Sequence, residues 1–361
     1  MFSEHSGEVS EEGDPPSRNG INVPEWKFSQ STQDGGTRIE YYDLRCVNRR
    51  FSRQKLIEFL AKRQPARVAL EACGSAHWWA RQLRNLGHEP MLLHANYVRP
   101  FVQTNKTDAA DAKAIWTAAQ QPGMPIVAPK TEPQQCVLSL HAMRQLRVKM
   151  RTMLVNQLRG TLFEFSVHFP RGLRTGLHEI VRHMLDIEQS VPPMLFEFVR
   201  EQLQSIERLD AEIARLDQRI DAWGRQNQAC QTILAIPGIG MLTATAMVAT
   251  LGDVRTFKSG RQLAAYLGLV PKQTGTGGKV WLGGISKRGD PYLRTLLIHG
   301  ARVVLSHLRR KNQPGWPLTL AQRRPGNVVA VAMANKMART VWALLAHDRA
   351  YDRDYVSVRP A

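Results

Sequence analysis

The chain has 361 residues, which is enough for two or three domains with cores of their own. Its hydrophobic content of 43% is ordinary for a folded protein. The 49 Lys and Arg residues outnumber the 31 Asp and Glu residues and give a formal charge of +18, which indicates a polyanionic partner, of which nucleic acid is the commonest.

Several other classes of protein are excluded by the same sequence. The 4 cysteines form no CxxC pair, so we expect a reducing compartment and neither a disulfide framework nor a zinc site. No apolar run reaches transmembrane length. Residues 1–19 are acidic and rich in Ser, Gly and Pro, which predicts a disordered leader rather than a signal peptide. We therefore expect a cytoplasmic protein with no membrane partner.

Hydrophobic periodicity predicts an α/β region from Gly20 onward. An antiparallel start is predicted from a short strand over residues 20–23, weak alternation over 27–32, a turn at 34–36 and a return strand over 38–46. Helix, strand, helix, strand and helix follow over residues 52–62, 67–71, 75–87, 89–94 and 108–120. This order is that of a ribonuclease H-like α/β domain.

Carboxylates occupy two of the places where that fold carries acidic residues. Glu71 ends a predicted strand, and Asp108 and Asp111 lie on the first turn of a predicted helix, where they share one face. Mg²⁺ or Mn²⁺ prefers such hard oxygen ligands. The structural alternatives are a solvated strand-end acid at Glu71, a helix-dipole role for the pair, and capping by Asn105 or Thr107.

Two long helices are predicted next, over residues 131–164 and from Pro192-Pro193 onward. The first carries cations that form either a solvated face or a polyanion-binding face, namely Arg144, Arg147, Lys149, Arg151 and Arg159. The second repeats apolar residues as a coiled-coil seam of about four heptads, with Val199, Ile206, Ile213 and Ile220 at a and Leu209, Leu216 and Trp223 at d. Ile at a with Leu at d favours a parallel dimer, and antiparallel pairing with the first helix is the alternative.

The last third of the chain is rich in glycine and in apolar helices. The sequence IPGIG at residues 236–240 predicts a helix-hairpin-helix in which Gly238 and Gly240 let backbone N–H groups approach a DNA phosphate. The alternative is an ordinary tight turn. Glycine-rich stretches over residues 275–279 and 283–289 predict a mobile, exposed backbone that presents Lys279, Lys287 and Arg288 to DNA. Helices over residues 291–308 and 326–347 follow, and the apolar content of the last predicts core packing.

Four regions are therefore predicted. They are a leader (1–19), a ribonuclease H-like domain (20–125), a helical and coiled-coil region (126–225) and a mainly α C-terminal domain with a helix-hairpin-helix (226–361).

The chain resembles a known family through several motifs. The most specific are LEACG at 70–74, TNKTDAADA at 104–112, IPGIG at 236–240, RQLAAYLGLVPKQ at 261–273 and GISKRGDPYLRTLLIHGAR at 284–302. On these motifs the chain, from about residue 20 to its C-terminus, resembles the DEDD transposases of the insertion-sequence-110 family, especially the 1111 subgroup. The resemblance implies a ribonuclease H-like, resolvase-type domain, a coiled-coil bridge and a C-terminal transposase domain. It also implies DNA recombination guided by a structured RNA that the element encodes, and a homo-oligomer, either a dimer or a tetramer.

The resemblance also implies site residues, and the chain departs from the family pattern at two of them. The metal acids of the family map to Asn22, Glu71, Asp108 and Asp111. Asn22 replaces an acid, so we expect weaker metal binding. The nucleophilic serine maps to Thr276, whose extra methyl group narrows the approach to phosphorus and restricts χ1.

Ser286, beside Lys287 and Arg288, is a second candidate for the nucleophile. Its structural alternative is a turn-forming or phosphate-contacting serine.

The leading hypothesis is a DNA strand-exchange enzyme in which a metal-assisted attack by a protein hydroxyl forms a protein–DNA phosphoester. One alternative is a catalytically decayed nucleic-acid-binding relic, favoured by Asn22 and Thr276. The other is a metal-dependent junction nuclease in which water attacks in place of a protein hydroxyl.

Overall fold

The computed structural model describes residues 25–33, 36–42, 49–102, 107–170, 172–353 and 355. Side chains are described from Phe51 onward, except those of residues 108, 109 and 173–175. The chain divides into two compact units, Met1–Pro129 and Lys130–Ala361. The predicted leader and the predicted strand over residues 20–23, which includes Asn22, lie outside the described residues.

The described part of the N-terminal unit contains one mixed β-sheet. Its strands are β1 (Glu25–Gln33), β2 (Gly36–Tyr42), β3 (Arg49–Phe51), β4 (Arg67–Glu71), β5 (Glu89–Leu93) and β6 (Ile126–Val127). They lie side by side in the order β3-β2-β1-β4-β5-β6. β1, β2 and β3 are antiparallel neighbours, β4 and β5 run parallel to β1, and β6 pairs antiparallel with β5. The predicted antiparallel pair over residues 27–32 and 38–46 corresponds to β1 and β2, and the predicted strands over 67–71 and 89–94 are confirmed as β4 and β5. The sequence does not predict β3.

Helices of this unit cover both faces of the sheet. They are α1 (Arg53–Ala61), α2 (Ala76–Asn85), α3 (Ala95–Val98) and α4 (Asp108–Ala119), with a 3-10 turn at Arg99–Phe101. Because successive strand residues point to opposite faces, Val68 and Leu70 of β4 pack with α1 and α2 in one core. Ala69, between them, packs with Ile115 of α4 in a second core on the other face.

The C-terminal unit opens with a long antiparallel helix pair. In chain order the helices are α5 (Glu132–Phe163), α6 (Leu173–Arg182), α7 (Met184–Ser190) and α8 (Pro193–Gln226). Thr131 and Gln134 form a capping box that begins α5. Ion pairs join α5 to α8 with residue numbers that rise on one helix as they fall on the other, at Arg144–Asp217, Arg147–Glu212 and Arg151–Asp210.

The heptad seam of α8 is buried within the chain. Val199 and Ile206 are 2% and 1% exposed and pack with Leu158 of α5, while Ile220 packs with Val137. The antiparallel pairing left open by the sequence is therefore correct. The expectation of a parallel dimer along this seam is wrong, because α5 already covers the seam.

Short helices and a hairpin complete the unit. They are α9 (Gln228–Leu234), α10 (Met241–Leu251), a 3-10 turn (Val254–Thr256), α11 (Gly260–Tyr266), β7 (Pro271–Thr276), β8 (Lys279–Ile285), α12 (Pro291–Arg310), α13 (Trp316–Ala321) and α14 (Gly326–Ala346). Among the described helices, α14 is long and apolar enough to cross a membrane. Its residues Val329, Ala334 and Val341 are fully buried in the core with Leu263 and Leu297. The predicted core role of the last helix is confirmed.

Candidate functional site

Two of the predicted acidic residues, Glu71 and Asp111, have described side chains, and both belong to the layer between α4 and the sheet. Ile115 of α4 is buried against Ala69 of β4 and Leu93 of β5. Asp111 lies one turn before Ile115 on the same stripe of α4. Glu71 lies two residues after Ala69, on the same face of β4. The fold therefore places Glu71 and Asp111 on the faces of β4 and α4 that pack against each other.

The surroundings of Glu71 and of Asp111 are each partly desolvated. Glu71 and Asp111 are both half-buried. Burial raises the pKa of the Cys73 thiol, and the nearby Glu71 carboxylate raises it further. The Thr107 Oγ1 accepts a hydrogen bond from the Ala110 N–H at 3.2 Å and caps α4. Capping is thus the role of Thr107 and does not account for the aspartates.

The complete predicted ligand set extends beyond the described side chains. Asp108 is the first residue of α4, but its side chain is not described, and Asn22 lies outside the described residues. No group of three His, Cys, Asp or Glu side chains suited to a metal ion occurs in the part of the chain that is described. β1 runs parallel to β4 and pairs Glu25 with Arg67, the first residue of β4. The N-terminal end of β1 therefore lies beside the start of β4, whereas Glu71 lies at the other end of that strand. The four-residue ligand set stays a prediction.

Thr276 lies at the tip of a paired ribbon formed by β7 and β8. It pairs with Lys279 across Gly277 and Gly278, whose φ angles of +54° and +78° are those that a type I′ turn needs. Every residue of the two strands except Ile285 is exposed. The predicted exposure is confirmed. The sequence analysis does not predict the paired strands here, where residues 275–279 form two strand ends and their turn.

Ser286 follows the ribbon and is less accessible than Thr276. Its backbone N–H donates to the Val270 carbonyl at 2.8 Å, and this bond fixes the base of the ribbon. Its Oγ is buried and has no hydrogen-bond partner among the described residues. Of the two candidate hydroxyls, the placement favours Thr276.

The loop over residues 286–289 presents two cations from a tightly packed backbone. Lys287 and Arg288 are exposed. Beneath them, the guanidinium of buried Arg294 donates to the Leu267 and Arg288 carbonyl oxygens at 3.1 and 3.2 Å. Gly268, at φ +71°, leaves no room for a side chain, since a Cβ would lie 2.0 Å from the Arg288 oxygen. The two cations therefore project from a loop whose position is fixed.

The turn over residues 236–240 joins α9 to α10, as the sequence predicts. Gly238 has φ +88°, and a Cβ on it would lie 2.8 Å from the Gly300 oxygen of α12. A Cβ on Gly300 would lie 2.0 Å from the Gly238 oxygen. Glycine at 238 is thus required by packing against α12. Gly240 is exposed with open space around its Cα, which suits a phosphate contact, and that contact stays a prediction.

The cationic face predicted for α5 is largely engaged within the chain. Arg144, Arg147 and Arg151 make the ion pairs with α8, and Arg147 Nε lies 2.5 Å from the Glu212 carboxylate. Arg159 donates to the Phe169 carbonyl at 3.3 Å. Polyanion contact through these four arginines is therefore not favoured, because their charges are neutralised or turned inward.

A buried polar network that the sequence analysis missed joins three helices. His141 of α5 is 1% exposed, and its Nδ1 and Nε2 lie 2.9 Å from the Tyr292 hydroxyl and 3.0 Å from Thr245 Oγ1. Thr245 donates its proton to the Met241 carbonyl at 2.7 Å, so it accepts from Nε2–H, and Tyr292 donates to Nδ1. Burial lowers the pKa of His141 to about 4. No sequence spacing links these residues.

An open pocket of about 470 Å³ lies beside this network. Its polar lining comes from six residues, namely Lys130, His141, Gln145, Thr250, Asp290 and Tyr292. Burial lowers the pKa of Lys130, and the negative charge of Asp290 partly opposes that effect. Asp290 also caps α12, where it accepts from the Tyr292 N–H at 2.7 Å.

Known proteins are similar to this chain over most of its length. The sequence profile of the family described as Transposase IS116/IS110/IS902 matches residues 230–314. A Pseudomonas aeruginosa protein described as "Probable family 20 transposase" is 46% identical over 316 residues, which cover 87% of this chain and 94% of that protein.

Two further relatives belong to named insertion sequences. The transposase for element IS1328 of Yersinia enterocolitica is 38% identical and covers 82% of this chain and 89% of its own. The transposase for element IS1111A of Coxiella burnetii is 37% identical and covers 84% of each chain.

Proposed function

Because this chain belongs to the IS116/IS110/IS902 family of transposases, we propose that it cleaves and exchanges the DNA strands of a bacterial insertion sequence by metal-assisted chemistry. A structured RNA guides the reaction in this proposal. The protein acts on DNA in the cytoplasm as a homo-oligomer. The formal charge of +18 is consistent with both nucleic-acid partners.

The N-terminal unit is, in this proposal, a ribonuclease H-like domain. Its support is the order of five strands, β3-β2-β1-β4-β5, with an antiparallel start and β4 and β5 parallel to β1. The last helix before the C-terminal unit, α4, packs on the face of β4 that carries Glu71.

The observation that carries the proposed chemistry is the common layer of Glu71 and Asp111. Both are half-buried carboxylates in a chain whose partner is an anion, and a cation between them offsets the cost of burying two like charges. Their hard oxygens, with those predicted for Asp108 and Asn22, fit Mg²⁺ or Mn²⁺. When bound, the ion supplies polarisation of the scissile phosphate and neutralises charge that develops on it. Asn22 enters this set on the family resemblance alone.

The proposed nucleophile is the hydroxyl of Thr276. Its Oγ forms a new bond to phosphorus, one bridging P–O bond of the DNA breaks, and the departing oxygen takes a proton from solvent and leaves as a hydroxyl. The Thr276 proton passes to solvent. Lys279 lies directly opposite Thr276 in the ribbon and favours the anionic phosphate there. Lys287 and Arg288, on the fixed loop after the ribbon, and Gly240, before α10, contact the DNA backbone.

A covalent protein–DNA adduct is the test of this mechanism. Purified protein is incubated with the RNA, donor and target DNA and Mg²⁺, and the adduct is separated under denaturing conditions. We expect the adduct from the native chain and its loss in Glu71→Gln, Asp111→Asn and Thr276→Ala. The matched control is Glu89→Gln, since Glu89 is an exposed carboxylate at the opposite end of the same pair of strands.

Full adduct yield in Glu71→Gln and Asp111→Asn would overturn the metal assignment. Strand cleavage without any adduct would favour the junction nuclease, in which water attacks. A native chain that is inert, but active as the double variant Asn22→Asp with Thr276→Ser, would identify a decayed transposase.

A further inference from the structure

The β7–β8 ribbon has two chemically different faces. Paired residues on neighbouring antiparallel strands point to the same side, and alternate pairs to opposite sides. The register pairs Thr276 with Lys279 and Thr274 with Trp281. The side chains of these four residues therefore share one face, which we call the Trp281 face. Val280 belongs to the opposite face.

Trp281 is an aromatic side chain that its own unit leaves uncovered. It is 55% exposed, and the residues of β8 and of its paired strand β7 are exposed as well, except Ile285. More than half of the indole surface stays in water, and that exposed part contributes no buried apolar area to folding. An exposed indole offers flat aromatic surface to a planar binding partner.

The charge of the segment identifies the chemistry of that partner. From Pro271 to Gly289 the chain contains no Asp or Glu and four cations, Lys272, Lys279, Lys287 and Arg288. Lys279 lies on the Trp281 face itself. A flat aromatic ring beside a cation matches a nucleotide, in which a planar base adjoins a phosphate.

We propose that the Trp281 face binds an unpaired nucleotide of the DNA substrate, with its base stacked on Trp281 and its phosphate held by Lys279 beside Thr276. The proposal deepens the proposed function, because it assigns the group that positions DNA at the nucleophile. Thr276 and Trp281 are diagonal neighbours across the ribbon, roughly 7–8 Å apart at Cα, a span comparable with one nucleotide. The base must be unpaired, because in a duplex its faces are covered by neighbouring base pairs.

Binding without chemistry tests this assignment. All variants carry Thr276→Ala, so that no adduct forms, and the full chain is titrated into a labelled short single strand and into the matching duplex. Removing the indole with Trp281→Ala should weaken single-strand binding by about 5- to 150-fold, the usual range for loss of one base–aromatic stack. Trp281→Phe keeps a ring and should stay within about threefold, whereas Trp281→Leu keeps apolar area without ring faces and should fail like alanine.

Val280→Ala is the matched control, since Val280 is also 55% exposed but lies on the other face. It should leave affinity unchanged. A second arm replaces one nucleotide at a time with an abasic site. When the abasic site replaces the nucleotide that stacks on Trp281, the strand should bind with the same affinity to the protein that retains Trp281 and to the Trp281→Ala variant. The two affinities should be equal because the base that Trp281 would contact is missing.

Unchanged single-strand affinity in both Trp281→Ala and Trp281→Leu would overturn the proposal. So would equal losses in Trp281→Ala and Val280→Ala, which would indicate a general apolar contact. A fall in oligomer mass with unchanged DNA affinity, measured by sedimentation, would assign the face to a second copy instead. None of these outcomes depends on adduct formation, so they are distinct from a failure of the proposed mechanism.

Discussion

Mild acid should destabilise the C-terminal unit through His141. This imidazole is buried, and burial lowers its pKa from the ordinary 6.5 to about 4. The nearby Arg144 charge contributes to this lowering of the pKa, and the Asp217 charge opposes it. Between these two pKa values the unfolded chain binds a proton that the folded chain excludes. Stability is therefore complete above the unfolded pKa and is lost as the pH falls toward the folded one.

The size of the effect follows from the two pKa values. One pKa unit corresponds to about 1.4 kcal/mol, so the free energy of unfolding should fall by about 2 kcal/mol by pH 5 and by about 3 kcal/mol by pH 4. Most of the loss lies in a range where carboxylates at ordinary pKa values are still ionised.

Urea denaturation followed by circular dichroism measures this loss, with His141→Gln as the non-titrating control. Glutamine keeps a donor and an acceptor but cannot gain a proton in this range. The native chain should lose about 2 kcal/mol more than the variant between about pH 7.5 and pH 5. Hydrogen exchange should rise first in α10, which carries Thr245. Parallel pH profiles for the two proteins would refute the argument.

Two further predictions concern packing. Gly300→Ala should destabilise the chain by about 1–3 kcal/mol, since its Cβ meets the Gly238 oxygen, whereas Gly160→Ala, in an open position on α5, should stabilise it by up to about 1 kcal/mol; equal melting temperatures would contradict this. Ile206→Ala should lower the free energy of unfolding, measured by urea denaturation, by about 2–5 kcal/mol. The sedimenting mass should not change, and a shift to a smaller species would instead indicate that the α8 seam pairs between two copies.

Elements with a local signal were predictable from the sequence. The apolar run that ends on Glu71 predicts β4, and the helices predicted from residues 52 and 131 correspond to α1 and α5, which Ser52 and Thr131 cap. The stripe of α4 that carries Asp111 followed from helical spacing alone. Local patterns suffice here because each element's own residues decide its type and its buried face.

Features that depend on distant partners were missed or mistaken. A heptad seam specifies an apolar partner but not whether that partner is another copy or α5. The charge of Arg144 could not be assigned without Asp217, which lies 73 residues away. The ribbon was the avoidable error, because Gly277-Gly278 between Thr276 and the β-forming residues after Lys279 is a type I′ hairpin signal.

Because α12 packs tightly against the turn at Gly238, this helix sets the distance between that turn and the loop at its own N-terminus. The loop with Lys287 and Arg288 enters α12 at Asp290, and the turn seats on Gly300, ten residues further along. At 1.5 Å per residue these two anchor points stand about 15 Å apart. Changes of side-chain rotamer cannot alter that distance. A DNA backbone that contacts both the loop and the turn must therefore place its phosphates at a matching distance, which would change only if α12 bent.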